Sequence, residues 1–166
     1  KQARYSMAGI YVHIPFCKQA CYYCNFHFST QLGNRDQMVA AICKDIHLRH
    51  NYLEERNLAT IYFGGGTPSL LSIPQLDQLL SAIYHHFTLE KGAEITIECN
   101  PDDIQMDYLK GLQQLGINRI SLGVQSFFDE DLQFMHRAHD AKLGISSLRL
   151  IREAGFDNVT VDLIYG

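Results

Sequence analysis

Three cysteines crowd one short segment, Cys17-Lys-Gln-Ala-Cys21-Tyr-Tyr-Cys24. Thiolates are soft ligands for iron and zinc, and three of them this close, in a chain without a secretory signal, point to a metal centre rather than a disulfide framework. A 4Fe-4S cluster normally takes four thiolates, so three leave one iron open to another ligand, which implies reactivity or substrate binding. A zinc site is the alternative, with Cys17, Cys21, Cys24 and His27 completing a tetrahedral set. The other two cysteines read differently. Cys43 lies on an amphipathic stretch and Cys99 on the apolar side of a strand, so both are expected to pack as small hydrophobes.

Something must position that loop. Runs rich in Ile, Val, Leu, Phe and Tyr at 9–14, 60–63, 94–99, 119–125 and 159–164 read as strands. They alternate with amphipathic stretches near 35–52, 73–87, 106–115 and 142–154, where apolar residues recur at helical spacing and Gly116 and Gly155 fit helix stops. Strand-helix alternation implies parallel strands joined by right-handed crossovers, either a doubly wound sheet or a barrel of the TIM type.

Strand parity chooses between them. Ile95, Ile97 and Cys99 alternate with Glu94, Thr96 and Glu98, and Ile120, Leu122 and Val124 alternate with Arg119, Ser121, Gly123 and Gln125. Ile10, Val12 and Ile14 likewise oppose Tyr11 and His13, and Val159, Val161 and Leu163 oppose Thr160 and Asp162. A doubly wound sheet needs apolar residues on both faces, whereas only one parity is apolar here. The fold expected is α/β, the N-terminal part of a partial (β/α) TIM-type barrel whose concave face holds a polar ligand, with the site at the strands' C-terminal ends. Five strands fall short of the roughly 250 residues of a complete eight-stranded barrel, so 7–166 reads as one core domain incomplete at its C-terminal end, and 1–6 as an extension ahead of Met7.

With these motifs in place, the chain resembles the radical S-adenosylmethionine proteins, whose signature is C-x3-C-x2-C after a first strand. Tyr11-Val-His13-Ile-Pro15-Phe16-Cys17, Gly64-Gly65-Gly66-Thr67-Pro68-Ser69, Gly123-Val-Gln125-Ser-Phe127 and Asp162-Leu-Ile-Tyr165-Gly166 are similar to the oxygen-independent coproporphyrinogen III oxidase family. The resemblance implies a 4Fe-4S cluster on Cys17, Cys21 and Cys24, and S-adenosylmethionine contacts from Tyr11, Tyr23, Gly65, Gly66, Thr67, Glu98, Gln125, Arg137 and Asp162. It also implies a reductant that supplies an electron to the cluster. Carboxylates at 98 and 162 suit hydroxyl or ammonium groups, and the Arg137 fork suits a carboxylate.

Oxidases of that family carry a further cysteine two positions beyond the third ligand, where this chain has Phe26. Together with Cys24-Asn-Phe-His-Phe28 and Gln125-Ser-Phe-Phe-Asp-Glu-Asp131, that position looks like the family's haem-chaperone branch. The implied function is to bind haem and deliver it to a haem-accepting protein, with the haem site beyond Gly166. The alternative is oxidative decarboxylation of coproporphyrinogen III in porphyrin biosynthesis.

Composition narrows the partners. A net charge of -4 with no basic cluster lacks the footprint of a nucleic-acid binder. No apolar run approaches the roughly 20 residues that span a bilayer, and five thiols suit a reducing cytoplasm. Asp102 and Asp103, after Asn100-Pro101, read as caps of the following helix rather than as a catalytic carboxylate pair. His85 and His86 read as ordinary helix residues, and His13 as a buried hydrogen-bonding group or a neighbour of the metal centre.

Overall fold

The computed structural model describes residues 7–165, so the reading of 1–6 as an extension lies outside the described residues. Five strands form one sheet: β1 (Ala8–Ile14), β2 (Asn57–Gly65), β3 (Thr88–Cys99), β4 (Arg119–Gln125) and β5 (Asn158–Leu163). Five α-helices accompany them: α1 (Arg35–Leu48), α2 (Ile73–Tyr84), α3 (Met106–Gln114), α4 (Asp129–Phe134) and α5 (Ala141–Glu153).

All four strand pairings are parallel, and the spatial order β1-β2-β3-β4-β5 is the chain order. A doubly wound sheet reverses direction at a switch point, which sends its helices to both faces. Here every crossover steps to the next strand in the same sense, so the main helices gather on one side and the sheet forms an arc of a barrel. The expected architecture is therefore the observed one.

The core lies between sheet and helices. Ile61 and Phe63 of β2, Ile95 and Ile97 of β3, and Ile120, Leu122 and Val124 of β4 are buried against Leu76, Leu79, Leu80 and Ile83 of α2 and Leu109 and Leu112 of α3. Helix α2 starts on a capping box: the Ser72 hydroxyl accepts from the Gln75 backbone N–H while the Gln75 side chain accepts from the Ser72 N–H. Pro in the first turn adds a preset φ where no donor is lost.

Besides β2, which runs Asn57–Gly65 where 60–63 was expected, the elements differ from expectation in three places. Strand β3 begins at Thr88, not at 94: Asn57 and Leu58 pair with Thr88 and Leu89, then the register jumps so that Thr60 faces Glu94. The intervening residues loop out around Gly92, whose φ of +82° breaks the alternation that marks a strand. Helices α1 and α2 stop at Leu48 and Tyr84, short of 52 and 87. Helix α4 was not expected, because six residues are too few for a helical period. Its signals are three acids in the first turn and Ser126, which donates to Asp131 (2.6 Å) and accepts the Phe128 N–H (3.1 Å).

Leu79 is fully buried where α2 meets the sheet. Replacing Leu79 by Ala should lower unfolding stability by about 2–5 kcal/mol through lost burial and an unfilled cavity. Denaturant titration should show the midpoint falling with the slope unchanged; a midpoint within error of the parent would contradict this packing.

Candidate functional site

The polar parity of the strands lines the concave face. Tyr62 of β2 donates its hydroxyl to Glu98 Oε1 on β3 (2.8 Å), and the Gly65 N–H donates to Glu98 Oε2 (3.1 Å). Ser121 of β4 donates to Asp162 of β5 (3.0 Å). Nearer the strands' N-terminal ends, Arg119 donates to Glu94 (2.8 Å) and to Thr160 (2.8 Å). Most of the larger polar side chains on this face thus lean on a neighbouring strand, and the curvature of the sheet leaves Thr96 and Ser121 buried there.

At the other end, the C-terminal edge of the sheet, a cleft of about 220 Å³ is lined by Cys17, Cys21, Cys24, Gly65, Gly66, Thr67, Glu98, Gln125, Arg137 and Asp162, with Tyr23 and Phe26 at its rim. Eleven of the twelve residues expected at the site therefore converge there. Tyr11 does not line the cleft. It sits on the same sheet face, more than half exposed, its ring stacked on Tyr62 (5.9 Å between centroids) and its hydroxyl against His13 Nδ1 (3.1 Å).

The cysteine loop is fixed by three other loops. Thr67, after β2, donates to Cys17 Sγ (3.5 Å). Lys18 pairs with Asp102 (2.6 Å) and with Asp103, which follow β3, and Asp103 also accepts from Ser69 (2.6 Å). After β4, the His136 carbonyl accepts from Gln19 (2.6 Å), His136 Nδ1 meets the Ala20 carbonyl (2.8 Å), and the imidazole stacks on Tyr22 at 4.8 Å. Arg137 closes the ring: one terminal nitrogen donates to Cys21 Sγ (3.4 Å) and Tyr23 Oη (3.3 Å), the other to Asn100 Oδ1 (2.9 Å) and the Gly123 carbonyl (2.9 Å).

Asp102 and Asp103 thus correct the capping expectation. They lie in a 3-10 turn, Pro101–Asp103, while α3 starts later behind Gln105, whose side chain makes no cap. Their charge serves Lys18 instead. Asn100 and Lys18 are cleft residues that sequence reasoning missed; the acidic pair beside Asn100 was their only local signal. Cys99 is buried and Cys43 partly so, as expected.

Backbone geometry lets the loops approach. Gly65 has φ +116°, and a Cβ there would fall 2.7 Å from the His13 ring; a Cβ on Gly66 would fall 2.6 Å from the Phe16 carbonyl oxygen. Gln125 ends β4 at φ +69°, with the Ser126 N–H bonded back to the Val124 carbonyl at 2.9 Å, a strained γ-turn in a non-glycine residue. The Ile164 N–H holds that turn by donating to the Gln125 carbonyl (2.9 Å).

Electrostatics follow from burial. Burial pushes the Cys17 thiol up, by more than the Thr67 hydrogen bond pulls it down. Tyr23 is pushed up to about 12 by burial against the opposing pull of Arg137, and Tyr62 to about 12 by burial and by Glu98. Burial raises Glu98 as well, despite hydrogen bonds from Tyr62 and Gly65. For Lys18, burial works against the charge, but the bonds to Asp102 and Asp103 outweigh it and raise the pKa.

The donor set suits a cluster with an open position: three thiols, a cation and two carboxylates line one cleft. Among the described residues, no three His, Cys, Asp or Glu side chains close on a single point. Residues 11–166 match the model of the Radical SAM superfamily. The chain belongs to that superfamily. Radical SAM membership implies a 4Fe-4S cluster and S-adenosylmethionine.

Among individual relatives, the chain is 42% identical over 155 residues to the protein named heme chaperone HemW of Lactococcus lactis, covering 93% of this chain and 40% of the relative. It is 36% identical over 160 residues to the oxygen-independent coproporphyrinogen III oxidase of Salmonella typhimurium, covering 95% and 35%. The solved structure of coproporphyrinogen III oxidase (HemN) from Escherichia coli superposes with a TM-score of 0.87 at 36% identity, over 99% of this chain and 39% of that one. The chain therefore spans about two fifths of the length of the relatives it matches. No helix among the described residues is long and apolar enough to cross a membrane.

The raised pKa of Glu98 has a measurable sign. Its stabilising contribution is present in full below the ordinary glutamate range and is lost as pH rises through the raised folded value. Comparing unfolding stability of the parent and Glu98→Gln across the carboxylate range, the parent should lose ground to the variant as pH rises. Parallel curves would contradict the burial of this carboxyl.

Proposed function

We propose that the chain carries a 4Fe-4S cluster on Cys17, Cys21 and Cys24 and binds S-adenosylmethionine in the adjoining cleft. Gly65, Gly66 and Thr67 would bring backbone close to the ligand, Glu98 and Asp162 would accept from its hydroxyl or ammonium groups, and Gln125 and Arg137 would close the polar wall, with Tyr23 lining the cleft and Tyr11 beside Gly64 and Tyr62 on the same face. The observation that carries this reading is the meeting of three loop thiols with that carboxylate- and arginine-lined cleft. When bound, the reduced cluster would supply an electron to S-adenosylmethionine; the chain's own part is to hold and orient that molecule and to limit water at the Cys17 side.

The whole protein we assign to haem handling: binding haem and passing it to an acceptor protein, in the cytoplasm, with an electron donor serving the cluster. Support comes from the 42% identity to a HemW and from Phe26, 70% exposed where the related oxidases carry a further cysteine. The haem site belongs, on this reading, to sequence outside 7–166. Coproporphyrinogen III oxidation is the second reading, favoured by the close superposition on HemN.

Anaerobic reconstitution with iron and sulfide should give a brown protein with four irons per chain, as the cluster formula requires. Replacing Cys17, Cys21 or Cys24 by Ala should abolish the colour, while Cys43→Ala and Cys99→Ala retain it; a colourless parent that takes up zinc alone would overturn the cluster.

Full-length protein given reductant, S-adenosylmethionine and coproporphyrinogen III without oxygen should leave the tetrapyrrole unchanged, yet bind haem and release it to an apo-acceptor. Accumulating protoporphyrinogen would replace the chaperone reading with the oxidase one.

A further inference from the structure

Four histidines meet at the opposite pole of the molecule from the cysteine loop. His47 stands in the last turn of α1, His50 just beyond it, and His85 and His86 directly after α2. Because the helices run antiparallel to the strands, their C-terminal ends lie below the sheet, away from the cleft. His47 Nδ1 and His86 Nε2 are 3.2 Å apart. The His50 ring stacks on His86 at 4.7 Å, and its Nδ1 is engaged by the His47 carbonyl at 2.7 Å. The His85 ring meets His86 edge-on, also at 4.7 Å.

We propose that His47 and His86 form a surface site for a borderline divalent transition-metal ion of the Zn²⁺ or Ni²⁺ class, distinct from the cysteine centre. Metal-nitrogen bonds of roughly 2.0–2.1 Å place two adjacent ligand nitrogens about 3.0–3.4 Å apart, and the His47–His86 separation already lies in that interval. Without an ion, the pair shares one hydrogen bond; with an ion, both lone pairs point at the metal. Imidazole suits these ions better than it suits Mg²⁺ or Ca²⁺, which prefer oxygen.

The helix ends favour a cation there, against the positive charge of nearby Arg56. Both ligands sit at helix C-terminal ends, where unpaired carbonyls leave partial negative charge. Arg56, the cation packed beside the group, is turned onto the His50 carbonyl and Asn51 Oδ1 and lies over the Phe87 ring. The His50 bond from Nδ1 to a backbone carbonyl is the arrangement that fixes a ligating imidazole and frees Nε2. Water completes the coordination.

Full-length metal-free protein, kept anaerobic and reduced, is titrated with NiCl₂ by calorimetry. One binding event should weaken at least tenfold in His47→Ala and in His86→Ala and remain in Asp107→Ala, a control on the exposed side of α3. In NMR spectra of the unmodified protein, Ni²⁺ should broaden amides at the ends of α1 and α2, which locates the ion without any substitution. Unchanged isotherms in both histidine variants, or broadening confined to the cysteine loop, would overturn the site.

Discussion

A parallel sheet whose helices pack on one face only leaves the polar side chains of the other to find partners within its concavity, and most of this molecule follows from that condition. The apolar parity of β2, β3 and β4 is sealed by α2 and α3, which supplies the driving force for folding. The other parity must satisfy its polar groups sideways, strand to strand, or with something that occupies the concavity. Tyr62 on Glu98, Ser121 on Asp162 and Arg119 on Glu94 and Thr160 are the sideways solutions. They prearrange two carboxylates in a partly dehydrated trough, where an incoming polar molecule meets fixed partners instead of mobile water.

The same condition explains where strain collects. A sheet that curves needs its strand ends to turn quickly into the loops that carry function, and Gly65, Gly66 and Gln125 all stand at such ends. Gln125 is the informative one, because a side chain was retained at a left-handed position that glycine would occupy at lower cost. Its carbonyl is tied to Ile164 of the chain leaving β5, so the strained turn also joins the last two strands at the cleft.

What the sequence disclosed depended on range. Alternation along 94–99 and 119–125 predicted the buried and polar faces correctly because strand parity is a local property. Cysteine spacing and glycine runs marked cleft residues for the same reason. Tyr62, Asn100 and Lys18 were not legible, since each owes its place to a partner far along the chain. The capping assignment of Asp102 and Asp103 failed on that ground: a local rule was applied to residues whose charge is claimed by Lys18 across the cleft. Strand β3 was begun late because a bulge interrupts its period, and the four histidines looked unremarkable until α1 and α2 brought them together.

The cysteine loop is held by Thr67, by the acidic pair on Lys18, and by His136 and Arg137, all protein groups. In small metal-nucleated domains the ion is itself the folding energy, and chain and metal must come together at once. Here the loop's shape also rests on ties from the turns that follow β2, β3 and β4, so a change at Thr67, Lys18 or Arg137 would be felt at the thiols without touching a cysteine.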